Sequence, residues 1–307
     1  MIHEEHNIRS IRQKFKEKGV FYTDAKLAQI MKGYIDIPYR NVYDPTCGDG
    51  SLLSVFDDDI QKFGQEIDES QAEEARKRLC NCTIYSGDTL EEPKGLGRRY
   101  DVIMANPPFS IHWNQLMDER FDECGVLAPK AKADYAFILH CLYVLKDTGM
   151  AIILCFPGIL YRGFSEGKIR EWLIKNKYIE RVVRIPKGYF VDTNIETALM
   201  ILRKNSATDG IIFEDITLKK QRKVAYDEIK ENGYTLSVNT YVQEEVVKEV
   251  INPIELQEQC RKSMLLKLKR DILADMEVCE LEGWDKYTYI DKIKDLINDI
   301  RGNVKVD

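Results

Sequence analysis

Asn106-Pro107-Pro108-Phe109 carries the most specific chemistry in the sequence, and it directly follows an apolar run, Asp101-Val102-Ile103-Met104-Ala105, that reads as a strand. An exocyclic amine on an aromatic ring is a poor nucleophile, because its lone pair is delocalised into the ring. Acceptors for its two N–H groups favour a tetrahedral nitrogen as positive charge develops. The Asn106 side-chain oxygen and the Pro107 carbonyl are such acceptors. Pro107 and Pro108 fix the turn and bring no N–H of their own, so the carbonyls stay aimed outward. Phe109 offers a flat face for an extruded base to stack on, which offsets part of the cost of flipping. The plain alternative is a Pro-Pro turn that closes a strand; a companion motif at the first strand weighs against it.

That companion is Asp44-Pro45-Thr46-Cys47-Gly48-Asp49-Gly50-Ser51, which closes one strand and reads as the opening of a helix. Gly48 and Gly50 let the backbone turn tightly and approach a ligand. The three spaced glycines of a dinucleotide fingerprint are missing, and Asp44 and Asp49 would repel a phosphate. They suit an ammonium group instead. S-adenosylmethionine has an α-ammonium, a sulfonium and no phosphate, so the electrostatics favour it over NAD or ATP. Glu66, followed by Ile67, ends the second strand and can accept both hydroxyls of a ribose. Asp88, followed by Thr89, lies after the third strand, placed to accept from an adenine amine. One such acid is indistinguishable from an ordinary loop carboxylate. Three at successive strand ends form a pattern.

Such a site needs a scaffold that gathers strand ends. Strands are predicted at 41–44, 63–67, 83–86, 101–105, 150–156, 179–185 and 197–202, alternating with helices at 69–79, 133–145 and 166–175. This alternation predicts a doubly wound, Rossmann-like α/β sheet, mostly parallel and covered on both faces. Ligands of such sheets sit beyond the carboxyl ends of the strands. Upstream, Val20-Phe21-Tyr22 reads as extended and Thr23 as the N-cap of a helix to about Gly33. Residues 110–132, with His112, Trp113, Lys130 and Lys132, form a long loop suited to closing over a substrate. Phe190 precedes a late strand and either covers the second face of a base or packs in the core. Residues 205–243 read as an irregular extension with one helix. Residues 254–300 read as two amphipathic helices broken near Gly283-Trp284, serving as a cap on the chain's own core or as a docking surface for another subunit.

The bulk properties are those of a globular enzyme: 307 residues, 44% hydrophobic, 31% charged, net charge −6. No apolar stretch approaches the ~18 residues a membrane span needs, and the polar start Met1-Ile2-His3-Glu4-Glu5 does not open a signal peptide. Both point to the cytoplasm. The eight cysteines lack zinc-like spacing, so they read as reduced structural thiols with no metal. A chain that grips DNA unaided carries a basic footprint. Here the only basic run is Arg9, Arg12, Lys14, Lys16 and Lys18, so a nucleic-acid substrate would need a partner's grip.

These residues together resemble γ-type N6-adenine DNA methyltransferases, and more closely the methylation (M) subunits of type I restriction-modification systems. Gly19-Val20-Phe21-Tyr22-Thr23 is similar to their first cofactor segment, Val42 to Leu53 to their glycine motif, and Gly64-Gln65-Glu66 to their ribose-binding acid. Asp134-Tyr135-Ala136-Phe137, Gly149 to Leu160, Ile185-Pro186-Lys187-Gly188-Tyr189-Phe190 and Asn232-Gly233-Tyr234 follow the same pattern. The resemblance covers about residues 19–243. It implies methyl transfer from S-adenosylmethionine to the N6 amine of a flipped adenine in double-stranded DNA. Phe21, Tyr22 and Thr23 would meet the methionine end of the cofactor, and Asn106 to Phe109 the adenine.

The implied organisation is a short N-terminal helix at 1–18, where the family carries a larger helical domain, then a catalytic domain at 19–243 and a helical extension at 244–307. No segment reads as a target-recognition domain, so a separate DNA-specificity subunit is implied, with a restriction subunit as a further candidate partner. N4 of cytosine poses the same chemical problem as N6 of adenine. The competing functions are a protein glutamine N5-methyltransferase and a non-catalytic assembly subunit. The pattern after residue 130 speaks against the first, and intact Asp44, Glu66 and Asn106 against the second.

Overall fold

β1 (Asn41–Asp44) is only four residues long, and Val42, Tyr43 and Asp44 in it are buried. The computed structural model describes residues 25–187, 196–205, 208–243, 253–283 and 285–303. Parallel neighbours of β1 are β2 (Gln61–Glu66) on one side and β4 (Tyr100–Ala105) on the other. β3 (Cys82–Ser86) lies beyond β2, and β5 (Leu145–Cys155) beyond β4, both parallel. β7 (Thr197–Leu202) runs antiparallel between β5 and β6 (Ile179–Ile185). β8 (Gly210–Asp215) pairs parallel with β6, and β9 (Lys220–Ala225) closes the edge antiparallel to β8. The order is β3-β2-β1-β4-β5-β7-β6-β8-β9. The chain leaves β1 in one direction and returns as β4 on the other side. A crevice opens where the winding reverses, at the carboxyl ends of those two strands.

Successive strand residues point to opposite faces, and the two core layers follow that period. Tyr43, Ile103, Ala105, Ala151 and Ile153 belong to one layer, while Val42, Val102, Met104, Met150 and Ile152 belong to the other. The first layer is covered by α3 (Asp134–Val144) and α4 (Phe164–Lys175). Every residue of α3 except Tyr143 is buried, as expected of a helix apolar on all sides. The second is covered by α1 (Ala25–Lys32), through Leu27, Ala28 and Met31, and by α2 (Glu69–Arg78), through Ala72 and Ala75.

Three expectations need correction. The glycine motif does not open a long helix; only a 3-10 turn, Leu53–Val55, follows it. Gly48 and Gly50 both have positive φ, outside the right-handed helical region, and the Val55 carbonyl at the end of the turn accepts from Lys32 Nζ at 2.6 Å. Residues 205–243 are not irregular: they hold β8, β9, α5 (Tyr226–Glu231) and α6 (Val238–Tyr241). β8 is tied to β6 by ion pairs, Arg181 to Glu214 and Arg184 to Asp215. Nor is 110–132 an open lid. Trp113 and Phe121 are buried, and the Trp113 amide donates to the Lys130 carbonyl at 3.0 Å. His112 and Lys130 are exposed and Lys132 is half-buried.

The chain divides into two units, Met1–Glu244 and Glu245–Asp307. The second holds α7 (Pro253–Leu281) and α8 (Lys286–Asn303), joined across the chain by Tyr289 Oη donating to Asp275 Oδ2 at 2.6 Å. α7 buries none of its residues, and Met264, Leu265, Leu268 and Leu273 are exposed. No described helix is long and apolar enough to cross a membrane.

Candidate functional site

Register brings the motifs together. Tyr43 pairs with Ile103, so the turn after Asp44 and the turn after Ala105 leave the sheet side by side. Asp44 pairs with Gly64, and Glu66 with Ser86, which adds the ends of β2 and β3. A cavity of about 120 Å³ opens there, walled by Pro45, Thr46, Gly48, Glu66, Ile67 and Asp88, with Thr89, Asn106 and Pro108 beside them. Gln71, Gly87, Ile111 and Phe137 also line it.

The turn after β1 is built from backbone amides donated to carboxylates. Thr46 N donates to Asp44 Oδ1 at 2.9 Å, Gly48 N to Glu66 Oε2 at 2.8 Å, and Ser51 N to Asp49 Oδ1 at 3.0 Å. Asp44 is 1% exposed. Burial first, then the charge of Glu66, pushes its carboxyl up to about 7. Asp49 is paired with Arg78 at 2.8 Å, so its charge is met on the side of α2. Neither Asp44, Asp49, Gly50 nor Ser51 lines the cavity. At Gly64 an added Cβ would stand 2.6 Å from Cys47 Sγ. A glycine is therefore required for the β1 turn to close on β2.

Glu66 uses both oxygens, accepting from Gly48 N and from Asp68 N at 3.0 Å. Each carboxylate oxygen has a second acceptor site, so the side chain retains capacity toward the cavity it lines. Asp88 holds its own turn, Oδ1 accepting from Leu90 N at 2.7 Å and Glu91 N at 3.2 Å. Thr89 donates its hydroxyl to the Pro45 carbonyl, linking the β3 and β1 turns. Gln65 is fully buried, and its amide spans Gly87 O, Glu92 O and Lys94 N at 3.2, 2.9 and 2.9 Å. Sequence reading passes over Gln65 because its partners are all backbone.

The turn after β4 is held from a distance. Pro107 is buried, while Asn106, Pro108 and Phe109 are half-buried. Ser110, at φ 53°, donates its amide to both oxygens of Asp134 at 3.2 Å. Asp134 heads α3, and burial raises its carboxyl above the usual range. The Phe109 ring meets Phe156 at 6.4 Å and 47°. Phe137, one turn into α3, reaches the cavity itself; its place in Asp134-Tyr135-Ala136-Phe137 was the available signal.

The lining chemistry discriminates among ligands. Among the described residues two carboxylates line the cavity and no lysine or arginine does, so a phosphate is disfavoured there, while hydroxyls, amines and cations are matched. Gly48 has φ 52°, and an added Cβ there would meet nothing within 4 Å, so its surface is open to a ligand. Ile67 is 68% exposed at the rim, an apolar face for a flat ring. A donor set of this kind fits an adenosine carrying a cationic tail. Phe21, Tyr22, Thr23 and Phe190 lie outside the described residues. Among the described residues no group of three or more His, Cys, Asp or Glu could hold a metal ion, and all eight cysteines are free. A larger cavity of about 290 Å³ lies near the amino ends of β4 and β5, lined by Arg99, Arg120, Asp147, Trp172 and Lys204 among others. Among the described residues it contains none of the motif residues.

Residues 5–223 match the N-6 DNA Methylase family. The chain belongs to that family. It is 30% identical to the type I restriction enzyme MpnII methylase subunit of Mycoplasma pneumoniae, over 86% of this chain and 61% of that one. It is 26% identical to the MjaVII methylase subunit of Methanocaldococcus jannaschii, over 88% and 57%. Among solved structures, the type I restriction-modification methyltransferase subunit of Streptococcus thermophilus superposes with TM-score 0.66 at 30% identity, over 73% of this chain and 59% of that one. The chain thus spans about three fifths of the length of these curated relatives.

Proposed function

We propose that the chain transfers a methyl group from S-adenosylmethionine to the N6 amine of adenine in double-stranded DNA, as the methylation subunit of a type I-like restriction-modification system. The observation that carries this reading is one cavity at the winding reversal, lined by Glu66, Asp88, Asn106 and Pro108 together. Membership of the N-6 DNA Methylase family supports the substrate class.

S-adenosylmethionine supplies an electrophilic methyl on a sulfonium. Glu66 accepts from the ribose hydroxyls with the lone pairs that Gly48 N and Asp68 N leave open. Asp88 keeps one oxygen on its own turn and offers the other to the adenine amine of the cofactor. Ile67 gives that ring apolar surface. On the substrate side, the Asn106 side-chain oxygen and the Pro107 carbonyl accept the two N–H groups of the target amine. They draw its lone pair out of the ring and stabilise the positive charge that develops. A flipped base stacks on Phe109, which Phe156 backs. Phe21, Tyr22 and Thr23 serve the methionine end, and Phe190 the second face of the base.

DNA grip and site choice come from a specificity subunit. The net charge of −6 supplies no general attraction for a polyanion. The exposed apolar residues of α7 and α8, among them Leu265, Leu268, Leu296 and Ile297, form the docking surface; a restriction subunit joins the same assembly. The test is tritium transfer from labelled cofactor to an adenine-containing duplex, with a release-factor protein as the control acceptor, in the presence and absence of the specificity subunit. Label is expected in the duplex adenine and to rise with the partner. Tight cofactor binding with no label in the duplex under either condition would overturn the substrate assignment.

A further inference from the structure

Arg120 is a buried cation that the transfer chemistry above leaves unused. Its side chain is 0% exposed although it comes from the 110–132 loop. Its fork donates to four different groups. Nη1 reaches Thr89 O at 2.9 Å, Nη2 reaches Leu90 O at 2.6 Å, and Nε and Nη2 hold Asp118 at 2.9 and 2.6 Å. Nη1 also meets His140 Nδ1 at 3.3 Å. Burial, and then the charge of Arg120, hold His140 down to about 3, so the ring is neutral. A neutral ring that accepts at Nδ1 carries its hydrogen on Nε2, and that nitrogen faces Tyr43 Oη at 3.1 Å. Tyr43 belongs to β1 and His140 to α3.

These contacts converge on the cavity wall. Thr89 and Leu90 follow Asp88, and Thr89 in turn holds Pro45. The loop that begins just after Asn106-Pro107-Pro108-Phe109 therefore reaches back and fixes the turns after β3 and β1. We propose that Arg120 is a positioning residue for the adenosine end of the cofactor, holding the Asp88-Thr89 turn through two carbonyls and the Pro45 turn through Thr89. This rests on the cofactor assignment above. Only a guanidinium presents enough fixed donors to serve two carbonyls, a carboxylate and an imidazole at once. Removing it leaves the Thr89 and Leu90 carbonyls buried without their donor, so the turn must rearrange.

The test is calorimetry on the full chain with two probes, S-adenosylhomocysteine and 5′-methylthioadenosine, the second lacking the amino-acid end. Arg120→Met is expected to weaken both by about tenfold and by the same factor, with Arg120→Lys recovering part of the loss. Leu173→Ala, in the core under α4, is expected to lower Tm while leaving both Kd values unchanged, which separates positioning from general destabilisation. A folded Arg120→Met that binds both probes within about twofold of the unaltered chain overturns the inference, as does a loss confined to S-adenosylhomocysteine. If Arg120→Met does not fold, Asp118→Asn takes its place, with about a threefold loss for both probes expected and no loss overturning the inference. If the unaltered chain takes up neither probe, the functional reading fails and this inference with it.

Discussion

The turns after β1 and β4 leave adjacent strands and border the same cavity, yet they are held in opposite ways. The first is held largely by its own residues: Asp44 and Asp49 accept backbone amides from within 44–51, and Glu66, at the end of the neighbouring strand, takes Gly48 N. The second has two prolines with no amide to anchor. A fixed point among the described contacts is Ser110 N on Asp134, twenty-four positions along the chain. A local turn is written in its own residue types. A turn held remotely depends on a helix elsewhere, so its chemistry is legible before its placement is. The difference also predicts separable defects: damage to the β1 side should appear in cofactor affinity, and damage to the β4 side in transfer.

The largest effect is expected at Asn106. Asn106→Ala removes an acceptor needed only as charge develops, and single-turnover transfer should fall by roughly 10²–10³ with cofactor Kd unchanged. A matching loss of cofactor affinity would break the division between the turns. Asp134→Ala comes next. It frees Ser110 and lets the β4 turn drift, so transfer should drop by about tenfold or more, again with cofactor affinity preserved. Should both fall together, the turns are one mechanical unit.

The smallest effect concerns pH. Asp44, raised to about 7 by burial and by Glu66, holds a proton that the unfolded chain releases near the ordinary carboxyl range. Its contribution to stability is therefore present at low pH and lost as pH rises through about 7. A cationic ligand favours the ionised form, so its uptake expels this proton. Affinity for S-adenosylmethionine should then increase about fivefold between roughly pH 6 and pH 8, and Asp44→Asn should flatten the profile. A flat profile in the unaltered chain would remove Asp44 from the electrostatics of the site.

Much of the sheet was legible because its strands are apolar runs at regular spacing. β1, β6 and β7 have the bounds their sequences predict. β9 was not legible. Lys-Gln-Arg-Lys-Val-Ala has a single buried residue, Val224, as befits an edge strand whose pairing is a backbone affair. At the cavity, Glu66, Asp88 and Asn106 could be named from residue type and position after a strand. The orientation of Asp44 and Asp49 could not: one is spent on Thr46 N, and the other on Arg78, a residue of α2. Gln65 and Arg120 left no trace, since the groups they hold are mainly carbonyls and amides that any sequence supplies. Remote side chain to backbone contacts are where pattern reading ends.

The most direct measurement is the heat of S-adenosylhomocysteine uptake by the unaltered chain and by Glu66→Gln. The account predicts saturable uptake by the first and more than about tenfold weaker uptake by the second, because an amide cannot accept from two hydroxyls while still holding Gly48 N and Asp68 N. Equal affinity in a folded Glu66→Gln protein, or no uptake by the unaltered chain, would contradict it.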